Sequence, residues 1–143
     1  MKTPATDDPT ATGDSTIGDS VARLAVIMGA AVTAAGITHF VAPEFFDEIV
    51  PPWLPPSPRF WTYASGVAEL IVGPALIWRR TRRRAALAAV VLFIAVYPAN
   101  LYMAWDWRDR ELSERIVSWV RLPFQFLFIA LALRIHRHTA PTE

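Results

Sequence analysis

Ala85–Trp105 is a run of 21 residues without a single charge, and it limits the possible folds more than any other stretch of the chain. At 1.5 Å of rise per residue a helix of that length crosses roughly 30 Å, the thickness of a bilayer's hydrocarbon core. Three further apolar blocks flank it. Val21–Ala42 has no charge after Arg23, Phe60–Trp78 is interrupted only by Glu69, and Ile116–Leu133 contains only Arg121. The pattern predicts an all-α, four-helix transmembrane bundle, with helices over 21–42, 60–78, 85–105 and 116–134 in one membrane domain, 21–135. Residues 1–20 are rich in Thr, Asp, Ala, Pro, Gly and Ser and are expected to form a disordered tail. They lack the basic start of a signal peptide, so the first block is expected to be retained. Residues 136–143 are expected to be a short C-terminal tail.

Charge sets the expected orientation. Arg79, Arg80, Arg82, Arg83 and Arg84 crowd the short connection between blocks two and three. The positive-inside rule puts that connection, and with it both termini, in the cytoplasm of a bacterial inner (plasma) membrane. The aromatic residues Trp53, Trp61, Tyr63, Tyr102, Trp105, Trp107 and Trp119 then gather at the outer ends of the helices as an interfacial belt. With a formal net charge of only +1, the chain has no bulk attraction for nucleic acid, and its arginine run is explained by topology.

Polar side chains inside the spans are the functional candidates, because hydrocarbon makes an unpaired polar group costly. Measured from the outer boundary, His39 lies roughly 5 Å deep, Asn100 and Arg121 roughly 7 Å, and Glu69 and Gln125 roughly 13 Å. Arg121 and Gln125 are four residues apart and share a helix face. A cluster of Arg121 with Glu69, hydrogen-bonded by Asn100 and Gln125 and rimmed by His39, is therefore expected in the outer half of the bundle. Each residue also has a plainer role open to it. Glu69 can be protonated or pair only to hold helices together, Arg121 can snorkel to the surface, His39 can cap its helix, and Asn100 and Gln125 can act as helix glue. Pro74, Pro98 and Pro123 each free a carbonyl one turn earlier, at Leu70, Ile94 and Trp119, and Asn100 and Arg121 are near enough to donate to such groups.

Six of the twelve prolines fall between Pro43 and Pro58, among apolar and aromatic residues. This extracytoplasmic segment is expected to be stiff, close to polyproline II over 51–58, and to cover the polar cluster with Phe45, Trp53 and Leu54 as a lid. The absence of cysteine removes thiol chemistry and iron–sulfur ligation from the chain. No haem, flavin or metal motif is visible.

Four stretches taken together resemble the DoxX-like small membrane proteins. They are Gly36-Ile-Thr-His-Phe with the following Pro43, Phe46 and Ile49-Val-Pro-Pro, then Ser65-Gly-Val-Ala-Glu, Tyr97-Pro-Ala-Asn-Leu-Tyr-Met-Ala, and Arg121-Leu-Pro-Phe-Gln. The resemblance covers roughly residues 22–135. It implies a four-helix membrane bundle. The family takes its name from a small subunit of a thiosulfate:quinone oxidoreductase, and related redox-associated members can carry cysteines, which this chain lacks. The resemblance thus implies an accessory or quinone-binding component of a membrane redox system, in contact with membrane lipids and a redox-enzyme partner subunit. A homo-oligomer is open to it. The family's motifs assign no catalytic residue. The alternatives are a structural or assembly protein whose polar cluster only locks the helices and, less favoured, a small transporter, which four short spans would have to build by oligomerising.

Overall fold

The computed structural model describes residues 9–140, with side chains from residue 16. Its elements are α1 (Pro9–Val41), a one-turn α2 (Pro43–Asp47), α3 (Pro58–Ile77), α4 (Arg82–Asp106), a 3-10 turn (Trp107–Asp109) and α5 (Leu112–His138). Four segments, Thr16–Val41, Pro58–Ile77, Arg82–Asp109 and Leu112–His138, are long and apolar enough to cross a membrane. Large apolar side chains such as Ile27, Ile71, Val91, Ile94 and Phe126 stand exposed along their outer faces. Helices apolar on every face and exposed in this way are at home in lipid.

α1 packs along α3, α4 packs along α5, and α1 also meets α5 to close the bundle. Small residues bring the first pair close. A Cβ added at Gly29 would lie 2.6 Å from the carbonyl oxygen of Gly73, and one added at Gly73 would lie 2.8 Å from that of Gly29 and collide with Thr33 Oγ1. In lipid, where apolar burial drives association weakly, such close backbone packing is a main source of helix pairing.

The helices are longer than the uncharged blocks. Pro9–Ser20, expected to be disordered, continues α1. The adjoining span nucleates the helix, so extending it adds one hydrogen bond per residue without a new nucleus. Residues 1–8 of the expected tail lie outside the described residues. At the other end α5 continues through His138, so the expected C-terminal tail begins as helix, and 141–143 lie outside the described residues. Pro74, Pro98 and Pro123 are accommodated inside their helices.

The core is in two parts. Val21, Ala25, Met28, Val32, Val72, Leu76, Ala85, Ala86, Ala89, Ala132 and Ile135 form a cluster toward the arginine-rich end. Ile49, Met103 and Trp107, with Phe46 and Ala99 against them, form a second toward the other end. Along the helices, the polar residues His39, Glu69, Asn100 and Gln125 fall between these two clusters.

The arginine run is not uniform. Arg82 is buried, and its guanidinium donates to the carbonyls of Leu76 (3.1 Å) and Ile77 (2.9 Å). Thr81 Oγ1 donates to Ala75 at 2.7 Å. The last carbonyls of a helix have no partner within it, and these two residues supply one. Arg79, Arg80 and Arg84 remain exposed.

Candidate functional site

The segment between α1 and α3 crosses the end of the bundle as a strap. Pro43 starts α2, where its fixed φ suits a first helical position. The strap thus begins as a helical turn, and a Pro51 carbonyl to Leu54 amide bond of 3.0 Å makes 51–54 a turn. The expected polyproline II course is broken there, because the turn bond holds the backbone in a tighter bend. Ser57 then caps α3, its hydroxyl accepting from the Phe60 amide at 3.3 Å, with Pro58 following.

Asp47 fastens the strap. Its carboxylate accepts 2.7 Å bonds from Arg59 Nε and from the hydroxyl of Thr62, which is almost fully buried. Asp47→Ala is expected to lower stability by about 1–3 kcal/mol, mostly through the stranded Thr62 hydroxyl. The Arg59 pair contributes less because that side chain is 42% exposed. Thermal unfolding in detergent, with limited proteolysis of residues 48–57, measures both the loss and the release of the strap. Asp47→Asn, which can still accept from Thr62, should recover part of the difference.

The strap holds Phe46 over His39, with ring centroids 3.7 Å apart and planes 26° from parallel. Phe46 is therefore the side chain that covers the polar residues. The expected lid residues sit elsewhere. Phe45 meets Phe46 and Trp107 edge-on, Trp53 is 71% exposed and lies edge-on to Tyr102, and Leu54 is exposed. Lid positions follow from the α2 turn, which points Phe46 inward and its neighbour to the side. Trp107 also departs from expectation, being 3% exposed within the second core cluster instead of standing in the aromatic belt. Arg110 stacks on its ring 4.4 Å from the centroid and reaches Glu48 of the strap at 3.1 Å.

Beneath Phe46, His39 on α1 faces Glu69 on α3, with Nε2 and Oε2 3.4 Å apart. That spacing makes an electrostatic pair but is long for a hydrogen bond. His39 Nδ1 and Glu69 Oε2 are both buried without a hydrogen-bond partner. Unpartnered polar atoms in this setting are costly, and their presence is more informative than the pair itself. Gly66 allows the approach, since a Cβ there would come within 2.8 Å of both His39 Cβ and a Phe40 ring carbon.

The five expected site residues thus divide. Asn100 Nδ2 donates to Gln125 Oε1 at 3.2 Å, and Gln125 Nε2 donates to the carbonyl of Phe93. This second group joins α4 to α5, as His39–Glu69 joins α1 to α3. The Phe93 carbonyl lies one residue from Ile94, the one expected to be freed by Pro98, and its donor is Gln125 instead of Asn100. Arg121 is half-buried on α5 and near enough to feel the charge of Glu69. The expected Arg121–Glu69 ion pair is not formed: among the described residues no carboxylate lies within 4 Å of Arg121, and Glu69 turns to His39. Sequence reasoning missed Phe46, Asp47, Thr62 and the inward Trp107. The Asp47–Arg59–Thr62 spacing across a proline-rich connection was the available signal.

The model of a family described as a domain of unknown function (DUF8561) matches residues 28–136, a stretch that takes in every residue of the site. Comparison with curated proteins and with solved structures finds no match.

Proposed function

Because the chain belongs to the DUF8561 family, a domain of unknown function, we propose its activity from its site: it binds a lipophile with a quinone-like head group as an accessory component of a membrane redox system. The observation that carries this proposal is that two buried polar atoms under the Phe46 ring, His39 Nδ1 and Glu69 Oε2, have no hydrogen-bond partner. An imidazole N–H donates to a quinone carbonyl, and a carboxylate oxygen accepts from a quinol hydroxyl, so these residues fit both redox forms of such a head group. When bound, a quinone supplies two-electron, two-proton carrier chemistry. The chain's part is to hold the head group, exchange protons at His39 and Glu69, and keep water out with the strap. The likeness to DoxX-like proteins supports the redox setting, in which a partner subunit carries the electron transfer. The protein is then an inner-membrane protein with the arginine-rich turn and both termini in the cytoplasm and the strap outside.

The structural alternative has its own support: Asn100, Gln125 and the Phe93 carbonyl satisfy one another, which is what helix glue requires. The two halves of the polar layer can be tested apart. The protein is purified in mild detergent, and extracted lipophiles are identified by absorbance and mass spectrometry. A quinone is expected with the wild type and is expected to fall at least about fivefold in Glu69→Gln and His39→Gln, a difference of roughly 1 kcal/mol in binding. Equal recovery from wild type and variants, or none from either, would leave the helix-locking role standing.

A further inference from the structure

At the end of the bundle away from His39, the helices part around an open groove of about 900 Å³. That volume lies in the range of small-ligand sites, about 300–1,000 Å³. Its walls come from three places: Arg23 on α1, Arg79, Arg80 and Arg82 at the α3–α4 turn, and the end of α5. Among the described residues that line it, four are arginines and Asp19 is the one acid. Among the described residues none of Arg23, Arg79 and Arg80 has a carboxylate within 4 Å. Arg82 is held in place by its bonds to the Leu76 and Ile77 carbonyls. The groove continues onto Val26 and Ile27, which are 43% and 67% exposed on the face of a membrane-spanning helix. One site therefore joins a cationic pocket to an apolar ramp.

We propose that this groove binds an anionic phospholipid from the leaflet on the arginine-rich side, with the headgroup phosphate among Arg23, Arg79 and Arg80 and an acyl chain over Val26 and Ile27. Guanidinium groups take phosphate oxygens in a forked, paired geometry, and basic pockets between membrane helices favour anionic headgroups. The apolar ramp selects a lipid over free phosphate, because a soluble anion gains nothing from Val26 and Ile27. This site is separate from the His39–Glu69 pair and stands whether or not a quinone binds there.

The test reconstitutes the full chain in nanodiscs of mixed phosphatidylglycerol and phosphatidylcholine, extracts it in mild detergent, and counts retained lipids by native mass spectrometry. Phosphatidylglycerol should be retained about tenfold over phosphatidylcholine. Arg23→Gln combined with Arg80→Gln leaves the other arginines of the turn to set topology, and it should abolish the preference. Ile27→Trp, which fills the ramp and keeps every charge, should also reduce retention. Arg134→Gln with Arg137→Gln removes two charges that do not line the groove and should leave retention unchanged; circular dichroism verifies that each variant is folded. Equal retention of the two lipids would overturn the proposal, as would a loss from Arg134→Gln with Arg137→Gln as large as that from the groove variant. Inorganic phosphate stabilising the protein as well as phosphatidylglycerol would overturn the assignment to a lipid.

Discussion

Gly73→Ala is expected to loosen α1 from α3 and lower stability by about 1–3 kcal/mol, while the same change at Gly18 leaves the protein as stable or slightly more so. At Gly73 the new methyl would meet Thr33 Oγ1 and lie 2.8 Å from the Gly29 carbonyl oxygen and the Thr33 amide nitrogen. Two of these are backbone atoms and cannot rotate away. Thr33 is no freer, because its hydroxyl is bonded to the Gly29 carbonyl at 2.7 Å. Relief therefore requires the helices to separate. Gly18 has nothing within 4 Å of an added Cβ, and there alanine brings only its better helix propensity, up to about 1 kcal/mol. Thermal unfolding of both variants in the same detergent makes the comparison, and equal melting temperatures would show that the close seam contributes nothing.

Gln125→Leu is the second large effect. Gln125 is buried, and it bonds at once to Asn100 on α4 and to the Phe93 carbonyl. Leucine would leave the Asn100 amide without its partner in an apolar interior and take from the Phe93 carbonyl the bond that ties it to α5. Each stranded group costs about 1–3 kcal/mol in general, although bonds between membrane helices average nearer 0.6 kcal/mol. A loss of about 2 kcal/mol is therefore expected. Asn100→Leu removes one bond and strands less, so its loss is smaller. The double variant should be more stable than the sum of the two losses predicts, by about 1 kcal/mol, because the Asn100 amide is then no longer left facing a missing partner. Strict additivity in a double-mutant cycle would mean that the two side chains do not act together.

The spans were legible in the sequence because uncharged runs such as Ala85–Trp105 have only a few ways to satisfy their backbone. The all-α bundle follows from them. The polar residues were legible one by one for the same energetic reason, but their pairing was not. Depth along a helix puts Glu69 level with Gln125, yet rotation about the helix axis decides which neighbour a side chain meets. Glu69 turns to His39 on α1, and Gln125 to Asn100 on α4. The strap was harder still. Its proline content suggested an extended course, whereas Phe46 reaches His39 because Pro43 opens a helical turn and Asp47 ties that turn to α3. The helix ends at Pro9 and His138 escaped because hydropathy marks where lipid stops, and a nucleated helix need not stop there.

The glycine seam between α1 and α3 also acts as a gauge. Gly29 against Gly73, Gly36 against Leu70 and Gly66 against His39 and Phe40 are successive marks along two antiparallel helices. Sliding α1 by one turn, about 5.4 Å, would set larger side chains against those marks and carry His39 away from Glu69. The spacing of the two titratable groups is thus calibrated from a distance. Gly29 lies ten residues from His39, roughly 15 Å along the axis, yet it helps determine which carboxylate the imidazole finds.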